Sequence, residues 1–297
     1  MNKKVISVAE LFLTAFIWGI AFVAQSVGMD YIGPFTFNCI RFLIGGIVLI
    51  PVILVFGRDK KEERTQEETK MYRKNTILGG IVCGFFLWSA STFQQFGIVN
   101  TSVGKAGFIT ALYIVLVPIL GVFLHKKVTP LMWLSVIIAV IGFYMLCISG
   151  HVTINKGDLY VLVCAVLFSF HILVIDHFSP GGNGIAISCI QFFVSGIISA
   201  VFMALFESPQ ITQILAAYVP LLYAGVMSCG VAYTLQILGQ KHTEPTVACL
   251  IMSLESVFSA LAGWVILHEK LSAKELLGCA LVFLAVILAQ LPQKEKQ

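Results

Sequence analysis

Apolar residues run along this chain in long blocks separated by short polar breaks, and the blocks have the length of a bilayer. A helix needs about 20 predominantly apolar residues to cross the hydrocarbon. Ten segments meet that requirement, at approximately 5–26, 34–56, 76–97, 101–124, 129–149, 158–177, 184–206, 215–238, 244–267 and 272–291. Turn and helix-start signals mark several boundaries: Gly33-Pro34, Thr129-Pro130, Gly157-Asp158, the run from Gly181 to Gly184, and Glu244-Pro245. Asp158 reads as a helix N-cap. The one long polar stretch, Gly57 to Asn75, reads as a solvated loop or a surface helix. The apolar run after Lys4 has the start of a signal peptide, but no small-residue cleavage site closes it, so it is taken as the first span. The pattern predicts an all-α polytopic membrane protein with ten transmembrane helices.

Composition agrees. Hydrophobic residues make up 58% and charged residues 11% of 297 positions, against about 25% charged in ordinary globular domains, and the mean hydropathy is +0.94. The net charge of +4 is modest. Most basic residues fall between apolar segments, where they act as orientation signals and not as a nucleic-acid patch. With the N-terminus in the cytoplasm, inside segments hold fourteen Lys and Arg while outside segments hold only Lys156, Lys270 and Lys274. Both termini are therefore expected in the cytoplasm. Eight cysteines are scattered without CxxC or metal-ligand spacing, which predicts packing residues; no metal site and no cofactor are expected.

The chain also repeats itself. Cys39-Ile-Arg-Phe-Leu-Ile-Gly-Gly-Ile47 matches Cys189-Ile-Gln-Phe-Phe-Val-Ser-Gly-Ile197 at five of nine positions, 150 residues apart. Phe93-Gln-Gln-Phe-Gly97 aligns with Leu235-Gln-Ile-Leu-Gly239 at 142, and Phe123 to Val128 with Ile266 to Leu271 at 143. Two halves of five spans follow, 5–149 and 157–291. Because five is odd, the second half must enter the membrane from the opposite side. Inverted repeats are an architecture of secondary transporters, with the solute site near the midplane between the halves.

These features resemble the EamA family of the drug/metabolite transporter superfamily. The resemblance rests on the duplicated ten-span layout, Ala15-Phe-Ile-Trp18-Gly, Ile40-Arg41-Phe, Ala106-Gly-Phe-Ile-Thr-Ala-Leu-Tyr-Ile-Val-Leu-Val-Pro118, Ser253-Leu-Glu255-Ser-Val-Phe and Leu267-His-Glu269-Lys-Leu. It covers nearly the whole chain and implies uptake or export of small metabolites, often amino acids, by a ten-helix porter in a bacterial cytoplasmic membrane. The first half departs from the pattern: Lys126 and Lys127 stand where the second half has Glu269-Lys270.

Charges within a span cost about 2.5–3.5 kcal/mol each even on a lenient scale, so the intramembrane polar residues are the candidate site. Arg41 lies roughly 10 Å into the second span with Asn38 on its face; it reads as a binding or gating residue, or as a clamp or snorkelling head. Lys105 sits near the start of its span on a mainly apolar face, which favours a cavity over solvent. Glu255, near the midplane, reads as a coupling carboxylate or an interhelical clamp. Gln94, its repeat partner Gln236, and Gln95, with Trp18, Trp88 and Tyr113, suit a lining that accepts an apolar side chain and a polar head. Glu10 reads as a solvated entrance residue and His171 as a core histidine. Gly80 and Gly84 form a GxxxG match that favours close helix packing. The charges are not duplicated: Arg41 aligns with Gln191, and Glu255 with Leu112 or Tyr113. Cations from the first half and a carboxylate from the second suit a zwitterion such as an amino acid, or a small carboxylate moved with a proton, as an export substrate with protons as a candidate partner. The alternatives are a broad-specificity exporter of lipophilic cationic drugs and, behind it, a channel or receptor. No GxSxG, HExxH or phosphate-loop motif is present, which leaves intramembrane catalysis and primary pumping without their residues.

Overall fold

A computed structural model describes residues 3–56, 65–101, 103–126, 128–147, 155–266 and 272–291. Lys127, Glu269, Lys270 and residues 57–64 of the polar segment lie outside these. The described chain is all-helical: α1 (Lys3–Met29), α2 (Pro34–Phe56), α3 (Gln66–Asn100), α4 (Val103–Ala111), α5 (Tyr113–Phe123), α6 (Pro130–Cys147), α7 (Lys156–Phe178), α8 (Gly184–Phe206), α9 (Ile211–Ala216), α10 (Tyr218–Leu222), a π-helical segment π1 (Tyr223–Tyr233), α11 (Thr234–Gln240), α12 (Pro245–Met252), α13 (Glu255–Ile266) and α14 (Ala273–Gln290). Among the described residues nine helices, continuous or broken, are long and apolar enough to cross a membrane; a tenth apolar helix, Pro130–Met145, is shorter.

Three features differ from the sequence reading. The polar residues from Gln66 onward are the first turns of α3, started by a reciprocal cap in which Thr65 accepts from the Glu68 backbone and Glu68 accepts from that of Thr65. Asn155, not Asp158, is the N-cap of α7; Asp158 sits three residues in, completes the reciprocal cap, and accepts from Thr101 Oγ1 at 2.7 Å. The fourth and ninth spans are each broken: α4 gives way to α5 at Leu112, and α12 to α13 at Ser253-Leu254. Leu112 N donates to Ile109 O and Leu254 N to Ile251 O, both at 3.2 Å, so the ladder tightens to a three-residue bond at positions 142 apart.

Polar and apolar faces are arranged inside out. On α8, Ser188, Gln191, Ser195 and Ser199 are buried while Ile197, Val201 and Leu205 are exposed, as expected where hydrocarbon replaces water outside. Small residues set the close crossings. A Cβ on Gly80 would lie 2.6 Å from Ile190 Cβ and one on Gly84 2.7 Å from Val194 Cβ, so the GxxxG pair seats α3 against α8 within one chain, and Ser195 Oγ donates to Gly84 O at 2.9 Å. The seven cysteines whose side chains are described are buried and free.

Packing follows the duplication. α2 runs against its repeat partner α8, and α6 against α14; α3 packs on α7 and α8 while π1 and α11 pack on α1 and α2; α1 packs on α12 and α13 while α7 packs on α4 and α5. Contacts made by one half are thus returned by the other, which leaves the two broken spans beside the centre.

Candidate functional site

A buried cavity of about 30 Å³ lies between the halves, with room for little more than one water. Ten of its lining residues form five pairs related by the repeat: Trp18 with Phe168 and Phe22 with Ile172, 150 positions apart, and Gln94 with Gln236, Thr110 with Met252, and Tyr113 with Glu255, 142 apart. Ser228 and Tyr233, both from π1, complete it. The breaks position the last pair. Tyr113 and Glu255 are each the first residue after an interruption, both are about 4% exposed, and Tyr113 OH donates to Glu255 Oε1 at 3.2 Å. Gly19 allows this arrangement, since a Cβ there would lie 2.4 Å from Phe258 Cβ and 2.9 Å from Glu255 O; α1 therefore lies directly on the start of α13.

Among the described residues the lining is aromatic and hydrogen-bonding, with one carboxylate and no Lys, Arg or His. Trp18 stacks at a tilt on Tyr233, ring centroids 4.6 Å apart. Gln94 Nε2 reaches Thr110 Oγ1 only at 3.5 Å, while Trp18 Nε1 and Gln236 Oε1 are buried without a partner. A donor and an acceptor are therefore left for a solute beside a carboxylate. α1 is tied to π1 by Thr14 Oγ1 donating to Ala232 O at 3.0 Å and Tyr223 OH donating to Ile17 O at 3.1 Å.

The halves also meet at both ends of the bundle. At one end Glu207, after α8, accepts from Phe35 N, Thr36 N and Thr36 Oγ1 at 2.6–2.9 Å, answering the orphan amides that open α2. At the other, Lys126 pairs with Asp176.

Residues 5–148 and again 155–291 match the EamA-like transporter family. The chain belongs to that family. A transporter of Archaeoglobus fulgidus, itself uncharacterized, is 32% identical over 290 residues, 97% of this chain and 87% of the relative. The uncharacterized transporter YoaV of Bacillus subtilis is 24% identical over 278 residues, 90% of each chain. A solved crystal structure superposes with a TM-score of 0.76 at 20% identity, covering 96% of both chains, a likeness of fold.

In this EamA-like chain the cavity gathers half of the residues expected from the sequence: Trp18, Gln94, Tyr113, Gln236 and Glu255. Asn38, Arg41, Trp88 and Gln95 are not in its lining. Trp88 packs on Phe202 with centroids 5.0 Å apart, and Gln95 faces Met29, its Nε2 3.3 Å from Sδ. The rotation of α3 explains both, because Gln94 is the residue turned toward the cavity. The side chain of Lys105 lies outside the described residues. Arg41 is buried, unlike a snorkelling head, and among the described residues it bonds no helix-end carbonyl; its Nη1 donates to Gln25 Oε1 at 3.1 Å. Its repeat partner Gln191 bonds His171 Nε2 at 3.1 Å. Phe22, Thr110, Phe168, Ile172, Ser228, Tyr233 and Met252 were missed. Only Phe168 was within reach of the repeat, by adding its offset to Trp18; neither member of the Phe22 with Ile172 and Thr110 with Met252 pairs carried a signal of its own.

Proposed function

We propose that this EamA-like protein is a secondary transporter that exports small metabolites such as amino acids across the cytoplasmic membrane by alternating access. In this reading ten helices cross the bilayer as two inverted halves with both termini in the cytoplasm. The observation that carries it is the cavity built from repeat-related pairs with the Glu255 carboxylate beside both helix breaks. Paired elements around a central site allow either half to swing, exposing the same residues to each side in turn. The described conformation leaves the cavity too small for a metabolite, which binds when one half has moved. A carboxyl group in this place exchanges a proton with whichever side it faces, which couples outward movement of solute to inward movement of protons.

One feature favours a second reading. An aromatic wall around a single carboxylate, with no cation among the described residues of the lining, suits a lipophilic cation, which is attracted to ring faces as well as to charge.

The test is transport in inside-out membrane vesicles with an imposed proton gradient, comparing a mixture of amino acids with a lipophilic cation. Glu255→Gln keeps shape and hydrogen bonding while removing titration. It is expected to abolish gradient-driven accumulation and its pH dependence while sparing solute exchange at equal pH. Accumulation against a gradient with unchanged pH dependence in the variant would falsify the coupling role.

A further inference from the structure

Arg41 is the largest of the fully buried side chains, 2% exposed. A guanidinium keeps its charge at any physiological pH, so a counter-charge or a full set of acceptors has to meet it. The described residues supply neither. Nη1 has Gln25 Oε1, while Nε and Nη2 are buried without a partner. The guanidinium carbon lies 4.7 Å from the centre of the Phe42 ring and 5.6 Å from that of Phe37, which cushions a cation but gives its N–H groups no acceptor. The carboxylates at the surrounding elements are engaged elsewhere: Glu207 holds the first turn of α2, and Glu255 accepts from Tyr113. One turn before Arg41, on the same face, Asn38 is fully buried with neither its amide nitrogen nor its oxygen bonded.

The scaffold does not ask for this charge. In the second half the corresponding positions are Gln191 and Ser188, both neutral, and Gln191 finds a partner in His171. The same helix pairing is therefore built with an uncharged residue, and the cation is an addition of the first half.

We propose that Arg41 and Asn38 form a subsite for a carboxylate group, separate from the Glu255 cavity. The free Nε and Nη2 are neighbouring donors of one planar fork, the arrangement that takes both oxygens of a carboxylate, and the Asn38 amide adds a third donor one turn away. A single cation matches a monoanion better than a phosphate. Tyr233 lines the cavity and feels the charges of both Arg41 and Glu255. A solute with a carboxylate and an ammonium satisfies both charges together, so the inference rests on the transport reading for the identity of the anion and makes amino acids the favoured class over lipophilic cations.

The test uses the purified full chain in detergent, with thermal stability followed against added sodium acetate or sodium chloride at constant ionic strength. A ligand that binds only the folded state raises the melting temperature in a saturable way. Acetate is expected to do so for the wild type, to do nothing for Arg41→Gln, and to require about tenfold more for Asn38→Leu. Arg41→Lys, which keeps the charge without the fork, should retain a weakened response and serves if the glutamine variant does not fold. A response to chloride alone assigns the site to an inorganic anion and overturns the proposal, as does an acetate response of equal size in the wild type and both arginine variants, or none in the wild type. Transport of leucine against leucinamide separates the two readings. Loss of discrimination in Arg41→Lys supports the subsite, whereas an acetate response without any leucine transport removes the amino-acid substrate and leaves the anion site standing.

Discussion

At the scale of single residues, the Tyr113 to Glu255 bond is the contact from which most follows. The two side chains occupy equivalent places in the two halves, 142 positions apart, and only one of them is a carboxyl group. A hydrogen bond of this kind is worth about 0.5–1.5 kcal/mol, and an ammonium that takes the same carboxyl oxygen has to displace it. Tyr113→Phe retains the ring in the cavity wall and removes the hydroxyl. It is expected to tighten binding of an amine-bearing solute by about tenfold, the equivalent of ~1.4 kcal/mol, measured by quenching of tryptophan fluorescence, which includes Trp18. Weaker binding would mean that the hydroxyl instead holds the carboxylate in its binding geometry.

At the scale of elements, glycines decide how closely the broken spans are approached. Gly19 in α1 has no space for a methyl group, since its carbon would stand 2.4 Å from Phe258 Cβ and 2.9 Å from the Glu255 carbonyl oxygen, whereas the same atom on Gly107 in α4 would meet Ser256 Oγ at an ordinary 3.6 Å. Alanine also favours a helix over glycine by about 1 kcal/mol. Gly107→Ala is therefore expected to be neutral or slightly stabilising, and Gly19→Ala to destabilise by about 1–3 kcal/mol through overpacking. Thermal unfolding in detergent checks both, and equal melting temperatures for the two would refute the crowding argument. The π1 segment belongs to this scale as well. Its wider turn carries Ser228 and Tyr233 into the cavity, and the corresponding part of α3 remains α-helical, so the halves differ in backbone as well as in charge.

At the scale of the whole molecule, the halves are joined at opposite ends by Lys126 with Asp176 and by Glu207 with the start of α2. Rocking of one half against the other has to open these one at a time. In the proposed topology Lys126 and Asp176 face the cytoplasm. Cysteines placed at both positions and joined by a short bifunctional thiol reagent are expected to stop transport, and a cleavable reagent to restore it on reduction. The single cysteine at 126 should be labelled by an impermeant maleimide only in inside-out vesicles. Full transport with the link in place would show that this end does not open, and labelling from the external side would invert the topology.

Much of this was legible from the residues alone. Segment lengths and the duplicated halves follow from local rules, since hydrocarbon demands about 20 apolar residues per crossing wherever the segment lies, and Glu255 and Trp18 stand out because a charge or an indole in such a run is costly or conspicuous. What the sequence could not settle is which way each helix turns. A span apolar on both its lipid face and its packed face has little periodic signal, so the inward place of Gln94, and the exclusion of Trp88 and Gln95, depended on tertiary packing. The breaks at Leu112 and Ser253-Leu254 carry no proline or glycine and arise where two spans cross. That crossing alone brings Tyr113 to Glu255. The same packing leaves Arg41 without a counter-charge, because the groups that meet a buried cation come from other helices, far away along the chain and close only after folding.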